Sequence, residues 1–258
     1  MLKTGLCSVT FRNLSPQEII QLAAKAGING IEWGGDLHVP YGNLELADEV
    51  RQQTLDAGLQ VSSYGSYYRV GGESPEIVFE DVVETAQTLG APVVRVWAGK
   101  QASAVASEEH RAKVVEDARR ICDIAAKANV RIAFEYHNNS LTDTAESAVR
   151  LFQAINHENL RSYWQPPEGM NYENCLDGLH LVSPWLSHVH VFQWTVENGK
   201  VIRHALSHGA DRWRAYLAEA GAVKKEAGER YAILEFVLGD STAAFLEDAK
   251  TLHALLKG

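Results

Sequence analysis

The chain has 258 residues, with 24 Lys+Arg against 33 Asp+Glu for a net charge of −9, and 46% of its residues are hydrophobic. These are the proportions of a soluble globular protein, long enough for one large α/β domain. An acidic balance without a basic run argues against nucleic acid or an anionic membrane as partner, because both are held by clustered Lys and Arg. The N-terminal MLKTGLCSVTF lacks a long apolar run with a small-residue cleavage site, and no stretch is long and apolar enough to span a bilayer, so a cytoplasmic location is expected. The three cysteines, Cys7, Cys122 and Cys175, are odd in number and widely spaced, which predicts reduced, buried thiols.

In chain order, a strand at Lys3–Ser8 precedes a helix over Ser15–Ala26, opened by Ser15-Pro16 and closed at Gly27. A short strand Gly30–Trp33 leads to a helix Leu46–Ala57, then to strand Gln60–Ser63 and to Pro75–Leu89, where Phe79, Val82, Val83 and Ala86 recur at helical spacing. The β-branched run Pro92–Ala98 is the fourth strand. Ser107 then caps a long helix striped by Val114, Ala118, Ile121 and Ala125. Strand Val130–Tyr136, helix Thr144–Ile155, strand Leu160–Trp164, a weak helix near Cys175–Val182, strand Leu186–Trp194, helix Asp211–Ala220 and strand Tyr231–Val237 follow, before a last helix capped by Ser241. Thr195–Gly209 reads as an irregular rim loop. Eight strand–helix units without a linker predict one (β/α)8 barrel over 1–258. No glycine fingerprint for a dinucleotide or a P-loop is present.

Catalytic groups of such a barrel come from the C-terminal strand ends, and here several of those ends are polar. The second strand ends at Glu32, the fifth runs Glu135-Tyr136-His137, the sixth ends at Gln165 with Glu168 beyond, and the seventh carries His188 and His190 on one side and then Gln193. The eighth ends at Glu235. Carboxylates inside apolar strands are costly to bury without a counter-charge or a metal. Two Glu, one imidazole and a further oxygen donor make a mixed set suited to Mn2+, Mg2+, Co2+ or Fe2+. The competing expectation is that a neighbouring cation such as Arg95 pairs with the Glu.

These strand ends resemble the xylose isomerase-like TIM-barrel sugar isomerases and epimerases, a family that includes tagatose/psicose 3-epimerases, hydroxypyruvate isomerase, inosose dehydratase and endonuclease IV. The residues that carry the resemblance are Glu135, Gln165-Pro166-Pro167-Glu168, His188-Val189-His190-Val191-Phe192-Gln193, Ser207-His208-Gly209-Ala210-Asp211-Arg212-Trp213 and Glu235. It implies that one divalent ion (Mn2+, Mg2+ or Co2+) is held by Glu135, Gln165, His190 and Glu235. Gln165 stands where the family has Asp, Glu168 where it has His, and Gln193 where it usually has Asp. The amide lowers the charge of the set by one unit.

The resemblance further implies a cytoplasmic metal-dependent isomerase or epimerase of a ketose or related small carbohydrate, working through an enediolate, with Glu135 and Glu235 as acid and base. His137, Glu168, Arg95, Trp97, His188, Gln193 and Arg203 are the expected substrate contacts. Trp33, Tyr64, Tyr67, Trp164 and Trp194 also stand near strand ends and are candidates for the sugar-facing wall. A lyase, dehydratase or keto-glycoside-cleaving enzyme shares the same first proton abstraction, and the departures at Gln165, Glu168 and Gln193 also fit a non-catalytic sugar-binding relic. The DNA-repair branch is disfavoured by the charge of −9. The expected partner is a small carbohydrate, with association into a homo-oligomer left open.

Overall fold

The computed structural model describes residues 2–72, 74–223 and 228–257. Strands β1 (Lys3–Cys7), β2 (Gly30–Gly34), β3 (Gln60–Arg69), β4 (Val93–Trp97), β5 (Arg131–Glu135), β6 (Leu160–Trp164), β7 (Leu186–Val191) and β10 (Tyr231–Leu234) close into a barrel in the order β1-β10-β7-β6-β5-β4-β3-β2. Every pairing is parallel. Helices α1 (Pro16–Lys25), α2 (Leu44–Asp56), α3 (Phe79–Leu89), α4 (Glu108–Lys127), α5 (Ala145–Ile155), α6 (Tyr172–Val182), α7 (Ala210–Ala222) and α8 (Thr242–Lys257) connect the strands. The (β/α)8 barrel expected from the alternation is the fold. Among the described residues no helix is long and apolar enough to cross a membrane.

Local chemistry explains where most elements start. Ser15 and Glu18 form a reciprocal capping box on α1, and Ser107 and Thr144 cap α4 and α5 with their hydroxyls. The weak helix expected near Cys175 is a full one from Tyr172, because the Asn171 side chain accepts from the Asn174 amide at 2.8 Å. The expected irregular loop after the seventh strand is mostly an antiparallel hairpin of β8 (Gln193–Glu197) and β9 (Lys200–His204). Its turn is Asn198-Gly199, both with positive φ (50° and 73°), and Asn-Gly is the pair that favours a tight hairpin.

Side chains alternate across each strand, so one set faces the helices and the other the barrel axis. The axial set includes Cys7, Val93, Ala133, Tyr163, Tyr231 and Ile233, which form one apolar cluster. Two residues further along β4, β5 and β6 the same side of the chain carries Arg95, Glu135 and Gln165. The barrel interior therefore changes from apolar to ionic as it approaches its C-terminal mouth.

Candidate active site

His190, on β7 and fully buried, is the centre of the mouth. Its Nδ1 lies 3.0 Å from Gln165 Oε1, 3.1 Å from Glu235 Oε2 and 3.5 Å from Glu135 Oε1. One N–H donates to one acceptor well, so three oxygens converging on a single ring nitrogen are poorly explained by hydrogen bonding alone. Each separation is close to the about 3.0 Å between adjacent donors about 2.1 Å from a six-coordinate cation, although the carboxylate oxygens of Glu135 and Glu235 do not come together with His190 within 4.8 Å. The donor chemistry of Glu135, Gln165, His190 and Glu235 suits a divalent cation, and Glu135 and Glu235 would draw together around it. On the other side of the ring, Nε2 faces Glu32 Oε2 at 3.4 Å. A carboxylate behind the ring orients a ligating imidazole and strengthens it as a donor.

Burial by itself would drive the proton off His190; the charges of Glu235 and Glu32, with hydrogen bonds to Glu135 and Glu235, override it and raise the pKa well above the usual imidazole value. A field that holds a proton this firmly also attracts a metal cation. Glu32 and Glu135 show the balance from the acid side. Burial would protonate both, but the Arg95 guanidinium, helped by His190, keeps each below the ordinary carboxylate range.

Arg95 sits between those carboxylates. Its Nε donates to Glu32 Oε1 at 2.9 Å and its Nη1 to Glu135 Oε2, which also accepts from Trp97 Nε1. Ser63 Oγ donates to Glu32 Oε2 at 3.1 Å. The guanidinium lies over Gly65 on β3, where an added Cβ would meet Nη2 at 2.6 Å and would have to displace it. The pairing of Glu135 with Arg95 expected as the alternative to a metal is present through Oε2, while Oε1 faces His190.

Above the cluster opens a cavity of about 280 Å3, a size for a single ring rather than an extended ligand. Arg95, Trp97, Glu135, His137, Gln165, Glu168 and Glu235 all line it, and Tyr67, Phe192, Trp194 and Phe236 supply aromatic wall. His137 leans against Trp97 with ring centroids 5.1 Å apart and the planes at 45°, and its Nδ1 donates to the Asn138 carbonyl at 2.7 Å. A carbonyl only accepts, so Nδ1 is the donor in this contact, and in the neutral ring the lone pair is on Nε2. Glu168 is exposed at the rim, held there by Pro166-Pro167.

Three of the expected substrate contacts stand elsewhere. Both ring nitrogens of His188 are used inside the barrel, Nε2 donating to the Ser62 carbonyl at 3.2 Å and Nδ1 accepting from the Tyr231 amide at 3.4 Å. Gln193 packs onto Gly209, where a Cβ would overlap its Oε1 at 1.8 Å, and lines the neighbouring groove instead. Arg203, on β9, pairs with Asp240 and lies behind Phe236, its guanidinium carbon 5.0 Å from the ring centroid. Trp33, Tyr64 and Trp164 are fully buried packing residues, whereas Tyr67 and Trp194 do face the cavity.

Two members of the cluster were not among the predicted site residues: Glu32, seen only as a strand-end acid, and Cys7. The Cys7 thiol donates to Glu32 Oε1 at 3.4 Å. Burial, then the charges of Glu32 and Glu235, raise its pKa well above the ordinary thiol value. The available signal for Glu32 was its place inside the apolar run Gly30-Ile31-Glu32-Trp33, the same feature that marked Glu135 and Glu235.

The chain resembles known proteins over most of its length. It is 27% identical over 206 residues to a 3-dehydroshikimate dehydratase of Bacillus anthracis, covering 73% of this chain and 71% of that one. The crystal structure of a probable 3-DHS dehydratase from Bacillus anthracis superposes with a TM-score of 0.81 at 22% identity, covering 98% and 99% of the two chains. A D-psicose 3-epimerase solved in the presence of D-fructose superposes with a TM-score of 0.74 at 15% identity over the whole of both chains. Residues 20–225 match the family model described as the xylose isomerase-like TIM barrel, and the chain belongs to that family.

Proposed function

We propose that this protein is a divalent-cation-dependent dehydratase of a small hydroxylated cyclic ketone, with 3-dehydroshikimate as the first substrate to try. The observation that carries the reading is the unequal state of the acid–base candidates. Glu135 Oε2 is committed to Arg95 and Trp97, while His137 lines the cavity with only its Nδ1 engaged, so that the neutral ring keeps the Nε2 lone pair for a substrate. Epimerisation at one carbon by the two-base route needs groups on both faces, one to remove the proton and one to return it. Elimination needs one base, which can hand the same proton to the leaving group.

On this reading Glu135, Gln165, His190 and Glu235 hold the cation, and the acid–base work expected of the two Glu passes to His137. A bound divalent cation supplies Lewis-acid polarisation of the ketone oxygen. His137 Nε2 takes the proton from the carbon beside the ketone and becomes imidazolium, its orientation fixed by the Asn138 carbonyl. That proton then goes to the departing β-hydroxyl: a C–H and a C–O bond break, a C=C bond forms and water leaves. Arg95 keeps Glu32 and Glu135 ionised, so the cation-facing oxygens carry charge. Trp97, Trp194, Phe192 and Phe236 screen the ring from water. The 27% identity to a 3-dehydroshikimate dehydratase favours this substrate class.

Epimerisation is the second reading, favoured by Glu135 Oε1 and Glu235 Oε2 both facing His190 Nδ1 from strands that are not neighbours in the barrel. Incubation with Mg2+ or Mn2+ in D2O separates the two. Aromatic product formed from 3-dehydroshikimate with loss of water supports the dehydratase. Deuterium appearing in a recovered ketohexose and its epimer, without dehydration of 3-dehydroshikimate, establishes the epimerase, and turnover of neither overturns both.

A further inference from the structure

Cys7 ends β1 with its thiol inside the barrel, 1% exposed. Its Sγ, a ring nitrogen of His190 and a carboxylate oxygen of Glu235 all lie within 4.8 Å of one another. Among the described residues no other group of three or more Cys, His, Asp or Glu side chains is so arranged. This trio shares His190 and Glu235 with the oxygen-rich cup built from Glu135 and Gln165. The two sets differ in what completes them: neutral or Arg-paired oxygens in one, sulfur in the other.

The competition between the sets is close. Gln165 brings no charge, and Arg95 offsets that of Glu135. Cys7 has a weak prior commitment, one S–H···O contact of 3.4 Å to Glu32 Oε1. That oxygen already accepts from Arg95 Nε at 2.9 Å, and Glu32 Oε2 accepts from Ser63, so Glu32 stays satisfied when the thiol turns away. Thiolate, imidazole and carboxylate together suit a borderline-soft ion with an open fourth position, as in zinc sites with three protein ligands.

We propose that Cys7 gives the mouth a second, thiophilic mode of cation binding: Zn2+ or Cd2+ is captured by Cys7, His190 and Glu235, and excludes Mg2+ because His190 and Glu235 are shared. On capture the S–H bond breaks, the sulfur–metal bond forms and the proton leaves to solvent, with no change of oxidation state. The inference rests on His190 and Glu235 being cation donors, as in the proposed function, and is independent of the reaction catalysed.

The test is titration of the wild-type protein and of Cys7→Ser with Co2+ alone, followed by absorption spectroscopy. Wild type should show a thiolate-to-cobalt charge-transfer band that Cys7→Ser lacks while keeping its d–d bands. Zn2+ affinity, measured by competition, should fall about tenfold or more in Cys7→Ser, with Mg2+ affinity changed less than about twofold. Cobalt bound without the charge-transfer band in wild type, or a band that survives in Cys7→Ser, overturns the inference and leaves the dehydratase reading standing. A charge-transfer band in a protein that dehydrates nothing does the reverse. No cobalt uptake at all overturns both. Should Cys7→Ser fail to fold, cadmium NMR of the wild-type protein decides the matter, because a sulfur-ligated cadmium resonates far from one ligated by oxygen and nitrogen alone.

Discussion

Gln165 Oε1 lies 3.0 Å from His190 Nδ1, placing an uncharged amide within the shell of donors around the ring. Replacing it by a carboxylate adds a full negative charge in a partly open cleft. Gln165→Asp should tighten Mn2+ or Mg2+ binding by on the order of 1–3 kcal/mol, read by calorimetric titration. It should also lower turnover, since a stronger donor makes the cation a weaker Lewis acid. Unchanged affinity means that Gln165 is not a ligand.

The Arg95 guanidinium pairs with both Glu32 and Glu135, the two carboxylates that His190 also faces, and all four side chains are buried. Arg95→Met leaves the carboxylates uncompensated and should cost about 3–5 kcal/mol, measured as a lower urea midpoint. Gly65→Ala should move stability in the same direction by a smaller amount, because its Cβ collides with Arg95 Nη2. A Gly65→Ala protein as stable as wild type shows that the guanidinium has room to move.

The double substitution Glu135→Gln with Glu235→Gln removes both formal charges from the donors around Nδ1. Metal analysis after dialysis against Mn2+ should then find none bound. Full stoichiometry in the double variant refutes the cation site.

His137→Gln keeps a polar side chain but removes the basic Nε2. The turnover number with the dehydration substrate should fall about 10²–10⁴-fold while Mn2+ affinity stays as in wild type. A change in KM alone assigns His137 to binding rather than to proton transfer.

Asp248 on α8 accepts from the Leu206 amide at 2.8 Å, and burial raises its pKa from 3.8 to about 6. A folded pKa above the unfolded one means that the native state binds the extra proton, so this group favours folding at low pH and loses that contribution as pH climbs from about 4 to 6. Asp248→Asn retains an acceptor for the Leu206 amide without the charge. It should raise stability by about 1–2 kcal/mol at pH 7 to 8 and leave it unchanged below about pH 4, measured by chemical denaturation at both. An equal gain at both pH values shows that the charge is not the cause.

How the chain divides into eight strand–helix units is written locally, in caps such as Ser15, Ser107 and Thr144 and in apolar stripes whose period is set by each element alone. The strand-end acids Glu135 and Glu235 are legible for a related reason: a carboxylate within an apolar run must have a partner, wherever the run is placed. The hairpin at Asn198-Gly199 is missed when the stretch is read as an irregular loop, although its turn pair and the flanking Val196 and Val201 carry a local signal for it. What local patterning does not specify is which partner each group meets across the barrel. The stagger of eight tilted strands brings Cys7, Glu32, Arg95 and His190 to one depth although they are separated by up to most of the chain. It turns His188 toward Ser62, and it leaves Gln193 and Arg203 behind the wall. Those assignments depend on strand register and on the direction of side chains in space, and both exist only once the barrel has closed.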